Sequence, residues 1–315
     1  MTVFHDAVHQ AGLPAGGIGT IGNFDGVHRG QRAIIDHVVA AGRALGIETL
    51  VVTFEPHPLE LLQPSKAPLR LTTARQKADL LSEAGIDHVF VVKFDEAFSR
   101  TPARGFAEEF LFGTLNLREI YVGSRFVFGR DREGDLALLE SVARGLNRRV
   151  EGVKEVLHQG EAISSTRIRH AVRAGKVEHA AEMLGRAYSV AGEVSRGAGK
   201  GRDLGWPTIN LEVENELLPA VGVYSSMARL GGEDLRRPAV TNVGVRPTIH
   251  QDSQITVESH ILDFAGDLYG RRVELDFRHR LRGERRFSGI EELSEQIARD
   301  AARARELIDA EVPAD

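Results

Sequence analysis

Short apolar runs alternate with amphipathic stretches through the first half of the chain, and this alternation constrains the fold most strongly. Residues 49–54 (TLVVTF) and 88–94 (HVFVVKF) are too short for helices and rich in β-branched or aromatic side chains, which is typical of buried strands. Residues 73–84, between them, have the spacing of an amphipathic helix. Strands separated by helices of this length predict a parallel sheet with helices on its faces. Ligands of such sheets bind beyond the carboxyl ends of the strands.

The pattern changes after residue 188 to short alternating segments punctuated by glycine and proline, which predicts an antiparallel barrel or sandwich. Residues 290–308 return to helical periodicity and predict a terminal helix. Residues 164–185 predict two short helices broken near Gly175. We place the boundary near Gly185, which gives a Rossmann-like α/β domain over residues 1–185 and an antiparallel β domain over residues 186–315. The alternating segments are residues 188–194, 222–228, 256–263 and 272–278.

Composition excludes several classes of site. The 315 residues include no cysteine, which removes disulfides, thiolate zinc sites and cysteine nucleophiles. A formal net charge of −5 gives no bulk basicity for non-specific nucleic-acid binding. No apolar run approaches the roughly 20 residues of a membrane helix, and the first residues lack a signal-peptide pattern. We expect a cytoplasmic protein with small-molecule partners, without nucleic acid or membrane; the sequence does not indicate the oligomeric state.

Residues 22–30 (GNFDGVHRG) lie between a predicted strand and a predicted helix. Glycines there let the backbone approach a polyphosphate closely, and the helix N-terminus adds N–H groups and a partial positive charge. His28 can donate a hydrogen bond to a phosphate oxygen. The alternative is a tight turn with a surface histidine; the position after a strand favours a phosphate-binding turn. Its predicted binding residues are Gly22, Asn23, Phe24, Asp25, Gly26, His28, Gly30 and Gln31.

Two further segments carry phosphate-binding chemistry. Residues 163–169 (ISSTRIR) place hydroxyls and arginines at a predicted helix start, and either a polyphosphate clamp or an N-cap followed by solvated arginines accounts for them equally well. Residues 199–210 (GKGRDLGWPTIN) offer backbone and basic groups to phosphate, and Thr208 and Asn210 offer oxygen ligands to Mg²⁺. By itself, the second segment is better explained as a surface hairpin.

The pair GNFDGVHRG and ISSTRIR resembles the nucleotidyltransferase superfamily with its HxGH and ISSTxIR elements. Residues 53–58 (TFEPHP) and 123–135 (GSRFVFGRDREGD) resemble its flavin branch, the FMN adenylyltransferase module of bacterial FAD synthetases. The resemblance implies that FMN phosphate attacks the α-phosphorus of ATP and that pyrophosphate leaves with Mg²⁺. It also implies that His28 stabilises the transferring phosphate and that Gly123 lines the nucleotide or flavin site. Residues implied to hold the pyrophosphate side are Ser164, Ser165, Thr166 and Arg169.

The sequence departs from HxGH at one position, because Gln31 stands where the second histidine is required. Glutamine donates a hydrogen bond but carries neither a proton nor a positive charge. If that histidine is charged in the transition state, adenylyl transfer here should be slower. Losing one such contact typically costs roughly 2.7–4 kcal/mol.

The second half resembles a riboflavin kinase domain, a small β-barrel with a terminal helix. The resemblance rests on residues 199–210, 222–224 (GVY), 242–248 (NVGVRPT), 258–270 (ESHILDFAGDLYG) and 282–287 (RGERRF), in this order. It implies phosphoryl transfer from ATP to the ribityl hydroxyl of riboflavin, with Glu258 as the base and with Thr208 and Asn210 holding Mg²⁺. The alternative for Glu258 is a strand carboxylate that faces water or Arg246. Residues implied to bind ATP or flavin are Gly199, Lys200, Gly201, Arg202, Thr208, Asn210 and Arg246.

Three hypotheses follow. The first is a bifunctional enzyme that uses ATP and Mg²⁺ to convert riboflavin to FMN and FMN to FAD. The second is a riboflavin kinase whose first domain is weakly active or only binds nucleotide, because of Gln31. The third is a flavin- or nucleotide-sensing regulator; on DNA it would need a basic recognition helix, and the basic run at residues 167–173 already belongs to the phosphate clamp.

Overall fold

The computed structural model describes residues 1–6, 13–196, 205–231, 235–246 and 254–311. The chain forms two compact units, Met1–Ser164 and Ser165–Asp315. The division precedes the two short helices that the sequence-based boundary near Gly185 assigns to the first domain. The second of these helices packs against two strands of the second unit.

The first unit is an α/β unit. Its strands are β1 (Thr2–His5), β2 (Ile18–Ile21), β3 (Thr49–Glu55), β4 (His88–Lys93), β5 (Glu119–Gly123), β6 (Val127–Phe128), β7 (Gly134–Asp135), β8 (Arg149–Val153), β9 (Leu157–His158) and β10 (Glu161–Ala162). Its α-helices are α1 (Arg29–Leu45), α2 (Pro58–Leu62), α3 (Ala74–Glu83), α4 (Glu96–Ser99), α5 (Ala103–Gly105) and α6 (Leu136–Gly145). Its other helical segments are a π-helix (Phe106–Thr114) and two 3-10 turns (Pro64–Lys66 and Arg130–Arg132).

Six strands form one parallel sheet in the order β1-β4-β3-β2-β5-β8, which confirms the predicted α/β architecture. Apolar cores lie on both faces: Val52 and Ile120 contribute to one, Val51 and Tyr121 to the other. The chain runs from β2 to β3 and β4 on one side and to β5 and β8 on the other. The strand order therefore reverses between β2 and β5, where sheets of this type leave a crevice for ligands.

The second unit is a closed antiparallel barrel, which confirms the predicted barrel. Its strands are β11 (Tyr188–Ser195), β12 (Ile209–Val213), β13 (Gly222–Leu230), β14 (Arg236–Arg246), β15 (Gln254–Ile261) and β16 (Arg272–Arg282). Its helices are α7 (Ser165–Arg173), α8 (Val177–Leu184) and the terminal helix α9 (Ile290–Asp309). The six strands close in the order β11-β12-β15-β14-β13-β16. The terminal helix packs across β13, β14 and β16.

Among the described residues, no helix is long and apolar enough to span a bilayer.

Candidate active sites

The turn after β2 lies where the strand order of the sheet reverses, and its backbone is strained. Phe24 has φ 46° and Val27 has φ 41°, the left-handed region that L side chains rarely adopt. Each such residue costs about 1–3 kcal/mol unless its surroundings enforce it. Burial enforces it here, because Phe24 is 2% and Val27 5% exposed within the core under α1. The apolar core therefore shapes the predicted phosphate-binding turn.

Asp25 anchors this turn to the loop that precedes α3. Its carboxylate Oδ1 accepts hydrogen bonds from the backbone nitrogens of Leu71 at 2.9 Å and Thr72 at 3.3 Å. The backbone nitrogen of Gly26 donates to the Thr72 hydroxyl at 3.3 Å. Asp25 is buried, and its hydrogen bonds join the turn after β2 to the loop that precedes α3.

His28 is the N-cap of α1, and Gln31 completes a capping box with it. The Gln31 backbone nitrogen donates to Nδ1 of His28 at 3.2 Å, and the His28 backbone nitrogen donates to Oε1 of Gln31 at 3.0 Å. Because Nδ1 accepts a hydrogen bond, the neutral imidazole carries its proton on Nε2. A Cβ at Gly30 would lie 3.3 Å from the His28 ring, so glycine leaves room for it. The capping box thus fixes the tautomer of His28, with its proton on Nε2, at the N-terminus of a 17-residue helix.

The other predicted residues of this turn also lie at the carboxyl edge of the sheet. Gly22 continues β2 by donating its backbone N–H to the Val52 carbonyl at 3.0 Å. The amide nitrogen of Asn23 lies 3.1 Å from Nε2 of His57, which follows β3. Gly123 is the last residue of β5, the neighbour of β2. The structure therefore brings the first motif, TFEPHP and Gly123 to one edge.

The ISSTRIR segment begins a helix, as the sequence predicts. Ser164 is the last residue of the first unit, and Ser165 is the first residue of α7. Thr166 is exposed, whereas Arg169 is buried on the side of α7 that also buries Ile168. Both hydroxyl residues Ser165 and Thr166 stand in the first turn of α7, where backbone N–H groups point outward.

The barrel register assembles the centre of the second candidate site. Glu258 on β15 lies directly opposite Asn210 on β12 and directly opposite Asn242 on β14. Directly opposed residues of antiparallel strands share one face of the sheet. Glu258 alternates with the buried Val257 and Ser259, so all three polar side chains lie on the outer face of the barrel. Sequence reasoning found Asn210 and Glu258 but missed Asn242, although NVGVRPT contained it.

The other residues predicted for the kinase site include Thr208 and Arg246. Thr208 is exposed and lies one residue before the start of β12. Nδ1 of His260 donates to the Pro207 carbonyl at 2.7 Å and holds the entry to β12 beside β15. Arg246 is the last residue of β14 and pairs with Gln254. The predicted residues Gly199, Lys200, Gly201 and Arg202 lie outside the described residues.

Buried hydroxyls fix the strands beneath Glu258 and Asn242. The hydroxyls of Ser226 and Thr241 lie 2.6 Å apart, and those of Thr241 and Ser259 lie 3.0 Å apart. Thr241 and Ser259 are the sequence neighbours of Asn242 and Glu258. A register slip of one residue would exchange these buried hydroxyls with the outward-facing polar groups, so the ladder specifies the register of the site.

Comparison with known proteins identifies both halves. A family model described as FAD synthetase matches residues 13–167, and one described as riboflavin kinase matches residues 184–308. A relative from Escherichia coli (strain K12), named bifunctional riboflavin kinase/FMN adenylyltransferase, is 39% identical over 94% of each chain. A relative of the same name from Pseudomonas fluorescens is 39% identical over 93% of each chain. A solved structure titled macrolide-efflux protein from Streptococcus pneumoniae superposes with a TM-score of 0.86 at 25% identity, covering 96% of this chain and 98% of that one.

Proposed function

The chain belongs to the bifunctional riboflavin kinase/FMN adenylyltransferase family, and we propose that its second unit phosphorylates riboflavin and its first unit adenylylates FMN. ATP, Mg²⁺ and flavins are the cofactor and substrates of these two reactions. The hypothesis of a kinase with a merely nucleotide-binding first unit is not favoured, because a family model matches each half. We place the reactions in the cytoplasm, on small-molecule substrates; the absence of cysteine is compatible with a reducing compartment.

In the adenylyltransferase site, an FMN phosphate oxygen attacks the α-phosphorus of ATP and pyrophosphate leaves. The protein contributes position and charge stabilisation, since no covalent intermediate is needed. The Nε2–H of His28 donates to the transferring phosphoryl group, while the N-terminus of α1 faces the same charge. The capping contact from Gln31 supports this role, because it fixes which ring nitrogen carries the proton. The residues that hold the leaving pyrophosphate are Ser164, Ser165, Thr166 and Arg169.

In the kinase site, the ribityl hydroxyl of riboflavin attacks the γ-phosphorus of ATP and ADP leaves. Glu258 accepts the hydroxyl proton as the new bond forms. The amide oxygen of Asn210 and the hydroxyl of Thr208 are hard oxygen donors of the kind that Mg²⁺ takes, and Asn210 lies directly opposite Glu258. Bound there, Mg²⁺ neutralises charge on the ATP phosphates. Arg246 and residues 199–202 bind the nucleotide or flavin.

One observation carries the kinase proposal. Asn210 and Glu258 are separated by 48 positions in the sequence, yet the barrel pairs them directly. A base for the hydroxyl and a ligand for the phosphate-bound ion must stand within a few ångströms of each other, because both act on one transferring phosphoryl group. The pairing supports that requirement for these two side chains.

A product assay tests both activities in one chain. The full-length protein is incubated with riboflavin, ATP and Mg²⁺, or with FMN in place of riboflavin, and FMN and FAD are separated by chromatography. Glu258→Gln should slow FMN formation by about 10²- to 10⁴-fold, the usual contribution of a general base, and leave FAD formation from supplied FMN intact.

Glu193→Gln provides the matched control, since Glu193 is an exposed strand carboxylate of the same barrel. It should leave both rates unchanged. FMN formation within threefold of wild type in Glu258→Gln would refute the base. FMN that never proceeds to FAD in the wild-type protein would refute the activity proposed for the first unit.

A further inference from the structure

The TFEPHP segment lies beside the phosphate-binding turn and contacts it through Asn23. The hydroxyl of Thr53 donates to the Asn23 backbone carbonyl at 3.3 Å. The side-chain amide nitrogen Nδ2 of Asn23 lies 3.1 Å from Nε2 of His57. Thr53 belongs to β3, the neighbour of β2, and His57 follows the end of that strand. The residue after Gly22 is therefore held through its backbone and through its side chain by one segment.

Only one tautomer of the neutral His57 ring is compatible with its hydrogen bonds. Its Nδ1 accepts a hydrogen bond from the backbone nitrogen of Leu59 at 3.2 Å, as the N-cap of α2. The neutral imidazole then carries its proton on Nε2 and acts there as a donor. The amide nitrogen Nδ2 that lies opposite Nε2–H is itself a donor, so the hydrogen bonding requires the Asn23 amide turned by 180°, which keeps the same shape and brings its oxygen to His57.

This orientation has a consequence for Asn23. With its oxygen bonded to His57, the amide directs its two N–H donors away from β3. Asn23 lies five residues before His28, in the turn that precedes α1, so these donors add to the N–H groups that face a bound phosphate. Without His57, the same amide can turn its oxygen toward the phosphate, which repels it.

We propose that His57 is a positioning residue for adenylyl transfer: it fixes the Asn23 amide with its N–H donors toward the phosphate of FMN or ATP. This inference rests on the adenylyltransferase activity proposed for the first unit. His57 acts through Asn23 and need not touch the reacting atoms. The hydrogen bond from the Leu59 backbone nitrogen to Nδ1 supports this role, because it fixes the proton of the neutral His57 ring on Nε2, which faces Asn23.

Two substitutions of His57 separate this role from its capping role. The Asn side chain in His57→Asn mimics Nδ1 and is a favourable N-cap, but it is too short to reach Asn23. The Gln side chain in His57→Gln places an amide nitrogen near the position of Nε2, where it can donate to Asn23, but glutamine caps poorly. The positioning role predicts that glutamine rescues and asparagine does not, whereas a capping role alone predicts the reverse.

The measurement is kcat/KM for FAD formation from FMN by the full-length protein, with the thermal unfolding transition of the first unit as the folding control and FMN formation from riboflavin as the control for enzyme concentration. His57→Ala and His57→Asn should lower it about 10- to 100-fold, the usual effect of losing a residue that orients a ligand-binding group. His57→Gln should restore it to within about threefold of wild type. In a background of Asn23→Ala, His57→Ala should cause no further loss.

Asp95→Ala serves as the control for a lost cap, because Asp95 caps α4 of the same unit through the Phe98 backbone nitrogen at 2.9 Å. It should leave FAD formation unchanged. Wild-type rates in His57→Asn, or additive losses with Asn23→Ala, would overturn the positioning role while the adenylyltransferase stands. A wild-type protein that forms FMN but no FAD would overturn the proposed function and this inference with it.

Discussion

Replacing Asp25 by alanine should loosen the first unit by an amount that its contacts define. The buried carboxylate accepts from the Leu71 backbone nitrogen at 2.9 Å (Oδ1) and 3.2 Å (Oδ2), and from the Thr72 backbone nitrogen at 3.3 Å. Alanine leaves two buried N–H groups without their acceptor, at about 1–3 kcal/mol each. The expected loss in the free energy of unfolding is about 2–6 kcal/mol. For a unit of this size that lowers the melting temperature by about 10 °C.

Asparagine should be intermediate, because its single oxygen can keep the two backbone hydrogen bonds that Oδ1 accepts. Asp25→Asn loses the contact of Oδ2 and the charge, for an expected loss of about 1–2 kcal/mol. Asp79→Ala is the control, since Asp79 is an exposed carboxylate on α3. Substitutions at such surface positions usually stay within about 0.5 kcal/mol.

The two units must be followed separately, because a chain of two units does not unfold in one two-state step. Calorimetry on the full-length protein gives the transitions, and residual activities after a graded heat step assign them: FAD formation reports the first unit and FMN formation the second. Asp25→Ala should lower only the temperature at which FAD formation is lost. An unchanged temperature, or a loss in Asp25→Asn as large as in Asp25→Ala, would refute the reasoning from hydrogen-bond acceptors.

Two further predictions concern Gln31 and Tyr121. Gln31→His should raise the rate of FAD formation, increasingly so below pH 7, where a histidine at this position carries charge; a gain that does not depend on pH would contradict this. Burial and the hydrogen bond to Glu119 raise the pKa of Tyr121 from 10.0 to about 12. The folded protein keeps this proton where the unfolded chain releases it, so the stability it contributes is complete below pH 10 and lost as the pH rises from about 10 to about 12. Tyr121→Phe should remove this part of the alkaline decline in melting temperature, and an identical decline would contradict the assignment.

Local pattern was enough to predict the two architectures and the turn between β2 and α1. The turn is marked by glycines, a histidine and a helix start directly after a buried strand. These signals lie close together in the sequence, so a local pattern predicts them. The same holds for α7, which begins at Ser165, one residue after the start predicted at residue 164. These features needed no knowledge of which strands pair.

The features that the sequence left open all depend on long-range pairing. Strand β14 was not predicted, and without it nothing places Asn242 opposite Glu258. The edge strands β1 and β8 were also missed, because each gains its stability from a distant neighbour. The roles of Leu71 and Thr72 as partners of Asp25 involve backbone N–H groups, which every sequence offers and no motif marks.

Gln31 keeps the structural role of this position but lacks the positive charge that a histidine could carry there. Its Oε1 closes the capping box with the His28 backbone, and glutamine at the third helical position suits that task. Its backbone nitrogen fixes the tautomer of His28. Neither task requires a positive charge, so replacing the expected histidine leaves the architecture of the turn intact. The loss falls on charge neutralisation during adenylyl transfer, to which the N-terminus of α1 still contributes. The departure from HxGH therefore bears on the rate of the reaction and not on the shape of the site.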